Sequence, residues 1–295
     1  RRTAARWAGG RSTWGMSAKV LHAVAGAPML VHAMKSAQDL EPAKTIVVAG
    51  HGAEVVSAAA KAFDKTAEVV LQNEQLGTAH AVAQAKEALK DFEGDAIVLY
   101  GDTPFISPET LQRMCDARSA HDVIVLGFEA RDPGRYGRLV MEGESLSKIV
   151  EFKDATDEER AMTLCNSGVI CAKASTLFEL IDAVGNENAS GEYYLTDIVE
   201  IAQAKGLSAT SVTCDESETL GVNSRAQLAE ADAIFQVKAR LALMDAGVTM
   251  HAPDTVYLSH DTYIGPDTII EPNVVFGPEV TVENGANIRA FSHLE

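Results

Sequence analysis

Between about residue 28 and residue 130 the apolar positions alternate between two textures. Short continuous runs at Thr45 to Gly50, Glu68 to Gln72, Ala96 to Tyr100 and Val123 to Phe128 have the length and β-branched content of strands buried on both faces. Between them, helical spacing covers residues 28–40, where Pro28 suits a first turn, and then 53–63, 78–90 and 108–119. Strands that alternate with helices predict βαβ units, and therefore a doubly wound, Rossmann-like α/β domain.

The rhythm changes after residue 135. Shorter strands at Leu139 to Met141, Ser147 to Phe152, Val169 to Ala172 and Thr210 to Cys214, with helices near 174–183 and 195–205, predict an α+β extension over the carboxyl edge of the sheet. One long helix is expected from Ser224 to Ala246, stopped at Gly247. Beyond it, Leu258, Ile264, Ile270, Phe276, Val282, Ile288 and Leu294 recur every six residues, each preceded two positions earlier by a small or β-branched residue. That period predicts a parallel β-helix of about two coils. The expected division is a domain over 1–223, a linker helix over 224–250 and a hexapeptide-repeat segment over 251–295, which looks truncated.

Composition narrows the function. The 295 residues include 25 basic and 42 acidic side chains, a formal charge of −17. That sign argues against nucleic acid and against an anionic membrane surface, because both are gripped by clustered Lys and Arg. An anionic substrate would need local cations or backbone amides. Such a place exists: Arg1, Arg2, Arg6, Arg11, Lys19 and Lys35 all precede the first acid, Asp39. We read this as a phosphate-facing region in preference to an Arg-rich transit peptide. Cys115, Cys165, Cys171 and Cys214 lack metal-ligand spacing and are expected to be reduced, in a cytoplasmic protein. No apolar run approaches the roughly 18 residues of a membrane span.

Three groups of residues carry candidate chemistry. Asp102 follows a buried strand's carboxyl end, where a divalent cation on a bound phosphate would sit, although the same aspartate before Thr103-Pro104 could cap a turn. The segment Gln72 to His80 joins a strand to a helix. Its amides could read the edge of a base and its helix start could meet a phosphate or base carbonyl, or it could be a capped helix with a solvated loop. Gly137, Glu151, Asn166 and Thr196 stand at loops or strand ends and suit a polyhydroxylated sugar, though each could be a turn. The eight histidines form no pattern and are read as structural or surface groups.

Taken in order, Lys19-Val20-Leu21-His22 with Ala25-Gly26-Ala27-Pro28-Met29, then LQNEQLGTAHA, YGD, YGR, IVEFKDAT, NSGV, GEYYLTDI and GVNSR, resemble one family from about Lys19 onward. It is the uridylyltransferase half of the bacterial bifunctional N-acetylglucosamine-1-phosphate uridylyltransferase/glucosamine-1-phosphate acetyltransferases. The resemblance implies a nucleotidyltransferase fold with a mixed sheet, a linker helix and the start of a left-handed β-helix. It implies an enzyme that makes UDP-N-acetylglucosamine and pyrophosphate from UTP and N-acetylglucosamine 1-phosphate with Mg²⁺, and a homotrimer at full length. Carried over by motif, the metal ligands are Asp102 and Asn223, and the phosphate-contacting lysine is Lys19. The uridine side comprises Gln72, Gly77, Thr78 and Tyr100 with Gly101, and the sugar side Gly137, Glu151, Asn166, Thr196 and Asn223. Related alternatives are another sugar-1-phosphate nucleotidylyltransferase or an inactive assembly homologue.

The chain departs from the family at its two ends. The family's opening strand and L-A-A-G-x-G-T-R-M loop correspond to a stretch in which the hydrophobic strand is missing and Gly9, Gly10 and Arg11 replace the loop in part. An altered N-terminus, from a shifted reading frame or a mis-set start, is the expectation. The later β-helix coils that carry acetyl transfer in the family are not in this sequence, so that activity is expected to be absent from the chain.

Overall fold

A computed structural model describes the backbone of residues 2–8 and the whole of residues 18–295. In chain order it runs β1 (Arg2–Ala8), the hairpin β2–β3 (Ala23–Val24 and Ala27–Pro28), α1 (Met29–Gln38), β4 (Lys44–Ala49), α2 (Ala53–Phe63), β5 (Glu68–Leu71), α3 (Thr78–Ala83), β6 (Asp95–Tyr100) and α4 (Pro108–Ala117). It continues with β7 (Val123–Glu129), β8 (Arg138–Glu142), β9 (Ser145–Val150), α5 (Asp157–Arg160), β10 (Leu164–Lys173), α6 (Ala174–Ile181), α7 (Ile198–Ala204), β11 (Ala209–Cys214) and α8 (Arg225–Asp245). Two compact units result: the chain up to Val20 with Leu30–Gly221, and Leu21–Met29 with Val222–Glu295.

In the first unit the sheet order is β11-β7-β10-β6-β1-β4-β5, with β8 and β9 extending it from β10. Strands β6, β1, β4 and β5 are parallel, whereas β10 runs antiparallel to both β6 and β7, which makes the sheet mixed. The predicted two-sided burial follows from the strand period of two. Ala96 and Val98 of β6 and Val123 and Val125 of β7 enter one core with Leu177 and Ile198. Their neighbours Ile97, Leu99, Ile124 and Leu126 enter the other with Leu111 and Met114 of α4.

Two expectations are corrected. No strand is expected in the arginine-containing opening stretch, yet the backbone of β1 pairs in register with β4 on one side and β6 on the other. The ladder is made by N–H and C=O groups that every non-proline residue carries, so a slot between two parallel strands can be filled without a hydrophobic run. Gly9, Gly10 and Arg11 lie outside the described residues. The helix expected over 78–90 is also shorter: α3 ends at Ala83, and the chain tightens through Ala85 N to Val82 O and Lys86 N to Ala83 O into a 3₁₀ turn at Glu87–Leu89.

The second unit is a parallel β-helix with α8 against its first coil. Its strands are β12 (Thr249–Met250), β13 (Val256–Tyr257), β14 (Tyr263–Ile264), β15 (Ile269–Ile270), β16 (Val274–Phe276), β17 (Thr281–Val282), β18 (Asn287–Ile288) and β19 (His293–Leu294). They stack on three faces as β12-β15-β18, β13-β16-β19 and β14-β17. The six-residue period places Leu258, Ile264, Ile270, Phe276 and Val282 in its core, and places the corners as well, since Asp267, Asn273, Glu279, Gly285 and Phe291 all have positive φ. Ala25, at the tip of the β2–β3 hairpin, donates its N–H to Asp232 at 2.7 Å and accepts from His260 N at 2.8 Å.

Helix α8 closes the first coil with polar side chains. Gln236, 2% exposed, uses both ends of its amide on one residue: Nε2 donates to Leu258 O at 2.7 Å and Oε1 accepts from Leu258 N at 2.8 Å. Arg240 adds bonds to Pro253 O and Val256 O. A solenoid end needs such partners because its outermost backbone groups have no further coil to pair with. Replacing Gln236 by Leu leaves two buried backbone groups unpaired, so urea titration of the Gln236→Leu protein should show a loss of about 1–3 kcal/mol. The β-helix transition should carry that loss.

Candidate nucleotide-sugar site

The sequence-predicted residues of the first unit converge at the carboxyl end of β6. Tyr100 ends that strand, partly buried, and Gly101-Asp102 turn away from it, the turn held by Thr103 N and Oγ1 on Tyr100 O. Burial first, and then the nearby carboxylates of Glu151 and Asp102, push the Tyr100 hydroxyl well above its usual range, while Thr78 hydrogen-bonds to it. The phenol thus lies close to Thr78, Asp102 and Glu151 together.

Asp102 does not cap the turn. Its carboxylate faces Lys19, with Nζ to Oδ2 at 2.5 Å and side chains 11% and 19% exposed. The next helix, α4, is capped instead by Ser107, whose Oγ accepts from Thr110 N. A cation and a carboxylate thus stand together at the strand's end, the position where open α/β sheets bind ligands.

The Gln72–His80 segment is more than a capped helix in solvent. Helix α3 starts after Gly77 without a side-chain cap, and its end is satisfied by a neighbouring chain segment: Ala79 N donates to Tyr193 O at 2.9 Å. The Ala79 amide, which the sequence reading left available to a phosphate or base, is already taken. Tyr193 N donates back to Leu76 O at 2.8 Å, and Leu195 N donates to Thr78 Oγ1 at 2.8 Å. Gly77 makes this approach possible. Its φ is +125°, and a Cβ there would stand 2.4 Å from Tyr193 O and 2.7 Å from Tyr193 N. Gln72, just beyond β5, donates Nε2 to Gly77 O at 3.3 Å and lies 3.1 Å from His80 Nδ1. His80, one of the histidines read as structural or surface groups, is thus in contact with Gln72.

The sugar-side residues form one wall. Strand β10 loses register between Asn166 and Ile170, so the Asn-Ser-Gly motif is a bulge of the kind that re-aims a side chain beside a site. Asn166 accepts from Gly168 N at 2.9 Å through Oδ1 and donates its own N–H to Gly137 O at 2.9 Å. A Cβ on Gly168, where φ is +89°, would stand 2.5 Å from the Tyr100 ring. Glu151 accepts from Thr196 Oγ1 at 3.3 Å, and burial raises its carboxyl above the usual range. Next in the chain, Asp197 is pushed up to about 6 by burial, then by Glu200 and Asp154. Asn223 belongs to the second unit, where it precedes α8 and donates its N–H to Gln227 Oε1 at 2.7 Å. Among the described residues no group of three or more His, Cys, Asp or Glu side chains has metal-binding geometry. Likewise, no described helix is long and apolar enough to cross a membrane.

The mixed sheet flanked by helices is a nucleotidyltransferase fold, and it places the Lys19–Asp102 pair at the carboxyl end of β6. The same fold appears in a UDP-glucose pyrophosphorylase solved with UDP-glucose, at a TM-score of 0.64 and 17% identity over 80% of this chain and 99% of that one. The apo form of a UDP-glucose pyrophosphorylase gives 0.66 at 16% identity, over 81% and 99%. The chain belongs to the MobA-like NTP transferase domain family, whose model matches residues 7–188, and a bacterial transferase hexapeptide model of six repeats matches 261–295. It is similar to the bifunctional protein GlmU of Cereibacter sphaeroides, 66% identical over 94% of this chain and 61% of that protein. The GlmU of Ruegeria pomeroyi is 68% identical over 82% and 54%. The motif resemblance therefore holds, and the chain spans a little over half the length of these relatives.

Two measurements probe the wall and the loop. Gly77→Ala should separate the 76–79 loop from Tyr193 and lower nucleotide affinity by about tenfold or more, with far-UV circular dichroism nearly unchanged. Asp197 holds its proton more tightly when folded, so its contribution to stability is complete below about pH 4 and is lost as pH rises through 6. Asp197→Asn should therefore raise the melting temperature by about 2–4 °C at neutral pH, with the gain vanishing near pH 4.

Proposed function

We propose that the chain carries a uridylyltransferase that joins UTP to N-acetylglucosamine 1-phosphate, giving UDP-N-acetylglucosamine and pyrophosphate. The observation that carries this reading is the Lys19–Asp102 pair at the end of β6, set between the Gln72–Thr78 loop and the Gly137, Glu151, Asn166 and Thr196 wall. On this reading Gln72, Gly77, Thr78, Tyr100 and Gly101 serve the nucleotide, and the wall serves the sugar. Similarity to the two GlmU proteins supports it.

A divalent cation fits Asp102. Its single carboxylate of hard oxygen donors suits Mg²⁺, which takes most of its shell from phosphate and water and needs no cage of protein ligands. Asn223 is the second ligand by family resemblance alone. When bound, Mg²⁺ supplies charge neutralisation for the phosphates.

The chain's own residues then have definite tasks. The attacking group is a phosphate oxygen of the sugar phosphate, largely ionised at neutral pH because its second pKa is about 6, so no general base is required. That oxygen forms a bond to the α-phosphorus of UTP while the bond to the pyrophosphate oxygen breaks. Catalysis is mostly alignment and electrostatics. Lys19 and Asp102 neutralise each other, and a bound triphosphate with its cation would give each of the two charges a new partner. Neither is left buried and unpaired, which would cost several kcal/mol per ion. Glu151, its pKa raised, and Thr196 offer hydrogen-bonding groups to sugar hydroxyl or amide substituents.

The same resemblance implies a cytoplasmic location and, at full length, a homotrimer joined through the β-helix. The test of the activity is pyrophosphate release from a panel of nucleoside triphosphates and sugar 1-phosphates with Mg²⁺. UTP with N-acetylglucosamine 1-phosphate should be the preferred pair, and preference for glucose 1-phosphate would move the assignment to a related pyrophosphorylase. Asp102→Asn, which keeps a carboxamide oxygen for Lys19 to donate to, should lower turnover by about a hundredfold or more while leaving the melting temperature within a few degrees. Near-normal turnover at saturating Mg²⁺ would remove Asp102 from the metal site.

A further inference from the structure

The irregular stretch of β10 cannot be bonded as a regular ladder is. Asn166 pairs with Gly127 of β7 and Ile170 with Val125, so Ser167, Gly168 and Val169 together stand against the single residue Leu126. A ladder pairs residues one to one, and the surplus backbone groups need other partners. Side chains supply them. Asn166 Oδ1 accepts from Gly168 N at 2.9 Å and Ser167 Oγ accepts from Val169 N at 3.2 Å, so each amide is held by the residue two positions before it. The same Ser167 hydroxyl donates to Leu126 O at 2.8 Å.

The sense of these bonds is fixed by their partners. A backbone N–H can only donate and a backbone carbonyl can only accept, so the one hydrogen of the Ser167 hydroxyl goes to Leu126 and a lone pair faces Val169. Gly168 N selects Oδ1 of Asn166 for the same reason. Through one oxygen, Ser167 therefore ties the turn of the bulge to the neighbouring strand. On either side of it stand Asn166, whose own N–H bonds Gly137 O at 2.9 Å, and Gly168, against the Tyr100 ring.

We propose that Ser167 is a positioning residue for the sugar side of the site, its hydroxyl holding the β10 bulge in register against β7 and thereby setting the Asn166 carboxamide. The inference rests on the reading of Gly137, Glu151, Asn166 and Thr196 as the wall that takes the sugar phosphate. Without the hydroxyl, Leu126 O and Val169 N both lose a partner, and a slip of the bulge along β7 would restore ladder bonds to them. A slip of one residue turns side chains to the other face of the sheet, so Asn166 would be displaced although the substitution removes none of its own bonds. A site shaped before its ligand arrives depends on supports of this kind.

The test measures kcat and KM for the sugar phosphate, and the calorimetric dissociation constant of UTP with Mg²⁺, in the parent, Ser167→Ala, Ser167→Thr, Asn166→Ala and the Ser167→Ala, Asn166→Ala double variant. Ser167→Ala should lower kcat/KM for the sugar phosphate by about tenfold, with UTP affinity moving less than about threefold and far-UV circular dichroism nearly unchanged. Ser167→Thr, which keeps the hydroxyl, should recover most of the loss. Ser167→Cys, close in size but a weak donor, takes the place of the alanine variant if that protein does not fold. Because Ser167 acts through Asn166, its removal should cost less than about twofold once residue 166 is alanine. A fall of equal size in both backgrounds, an equal loss toward UTP and sugar phosphate, or unchanged kinetics in Ser167→Ala would overturn the inference and leave the site reading standing. A parent that releases no pyrophosphate, or an Asn166→Ala protein with parental sugar-phosphate kinetics, would overturn the reading of the wall, and the inference with it.

Discussion

Where Gly77 meets Tyr193, two backbones lie so close that a single methyl group would not fit between them. The hydrogen bonds that flank this contact, Tyr193 N to Leu76 O, Ala79 N to Tyr193 O and Leu195 N to Thr78 Oγ1, make the loop after β5 and the segment before α7 one piece. These segments are more than a hundred residues apart in the chain, and they carry the groups proposed above for the nucleotide and the sugar respectively. The geometry of the whole crevice depends on that strap. Thr78 is joined to Tyr100, Tyr100 packs on Gly168, and the Gly168 bulge sets Asn166 against Gly137.

The electrostatics follow from the same arrangement. An acidic chain can present a site for polyphosphates only where cations are placed locally, and Lys19 beside Asp102 is such a place within a chain of net charge −17. Burial acts on the neighbouring groups as well: it raises the Tyr100 hydroxyl and the Glu151 and Asp197 carboxyls above their usual ranges, because a charged form loses solvation there.

The β-helix unit solves a different problem. Its period supplies the core and the left-handed corners, but its first coil leaves backbone groups without a neighbour, and α8 meets that need with Gln236 and Arg240. Polar residues buried on a helix that looks weakly amphipathic in sequence are there because the backbone of another element requires them.

Much of this was legible in the residues. The strand runs of β4, β6 and β7, the hexapeptide period, the long helix with its Ser224 cap and the ordered motifs all reflect local spacing, which the chain carries wherever it folds. The antiparallel β10 and the pairing of Arg2–Ala8 as a central strand did not, because ladder bonds are made by backbone common to every sequence. Nor did the fate of Asp102, which local sequence left divided between a turn cap and a ligand until Lys19, 83 positions away, was found beside it. His80 is the sharpest case. Its side chain carries no periodic signal, and its contact with Gln72, eight positions away, is set by the fold. The sequence by itself determined which segments become strands, helices and coils, because burial and backbone preference act at short range. Only the tertiary structure decided which polar groups face one another, because a hydrogen bond depends on distance and direction in space.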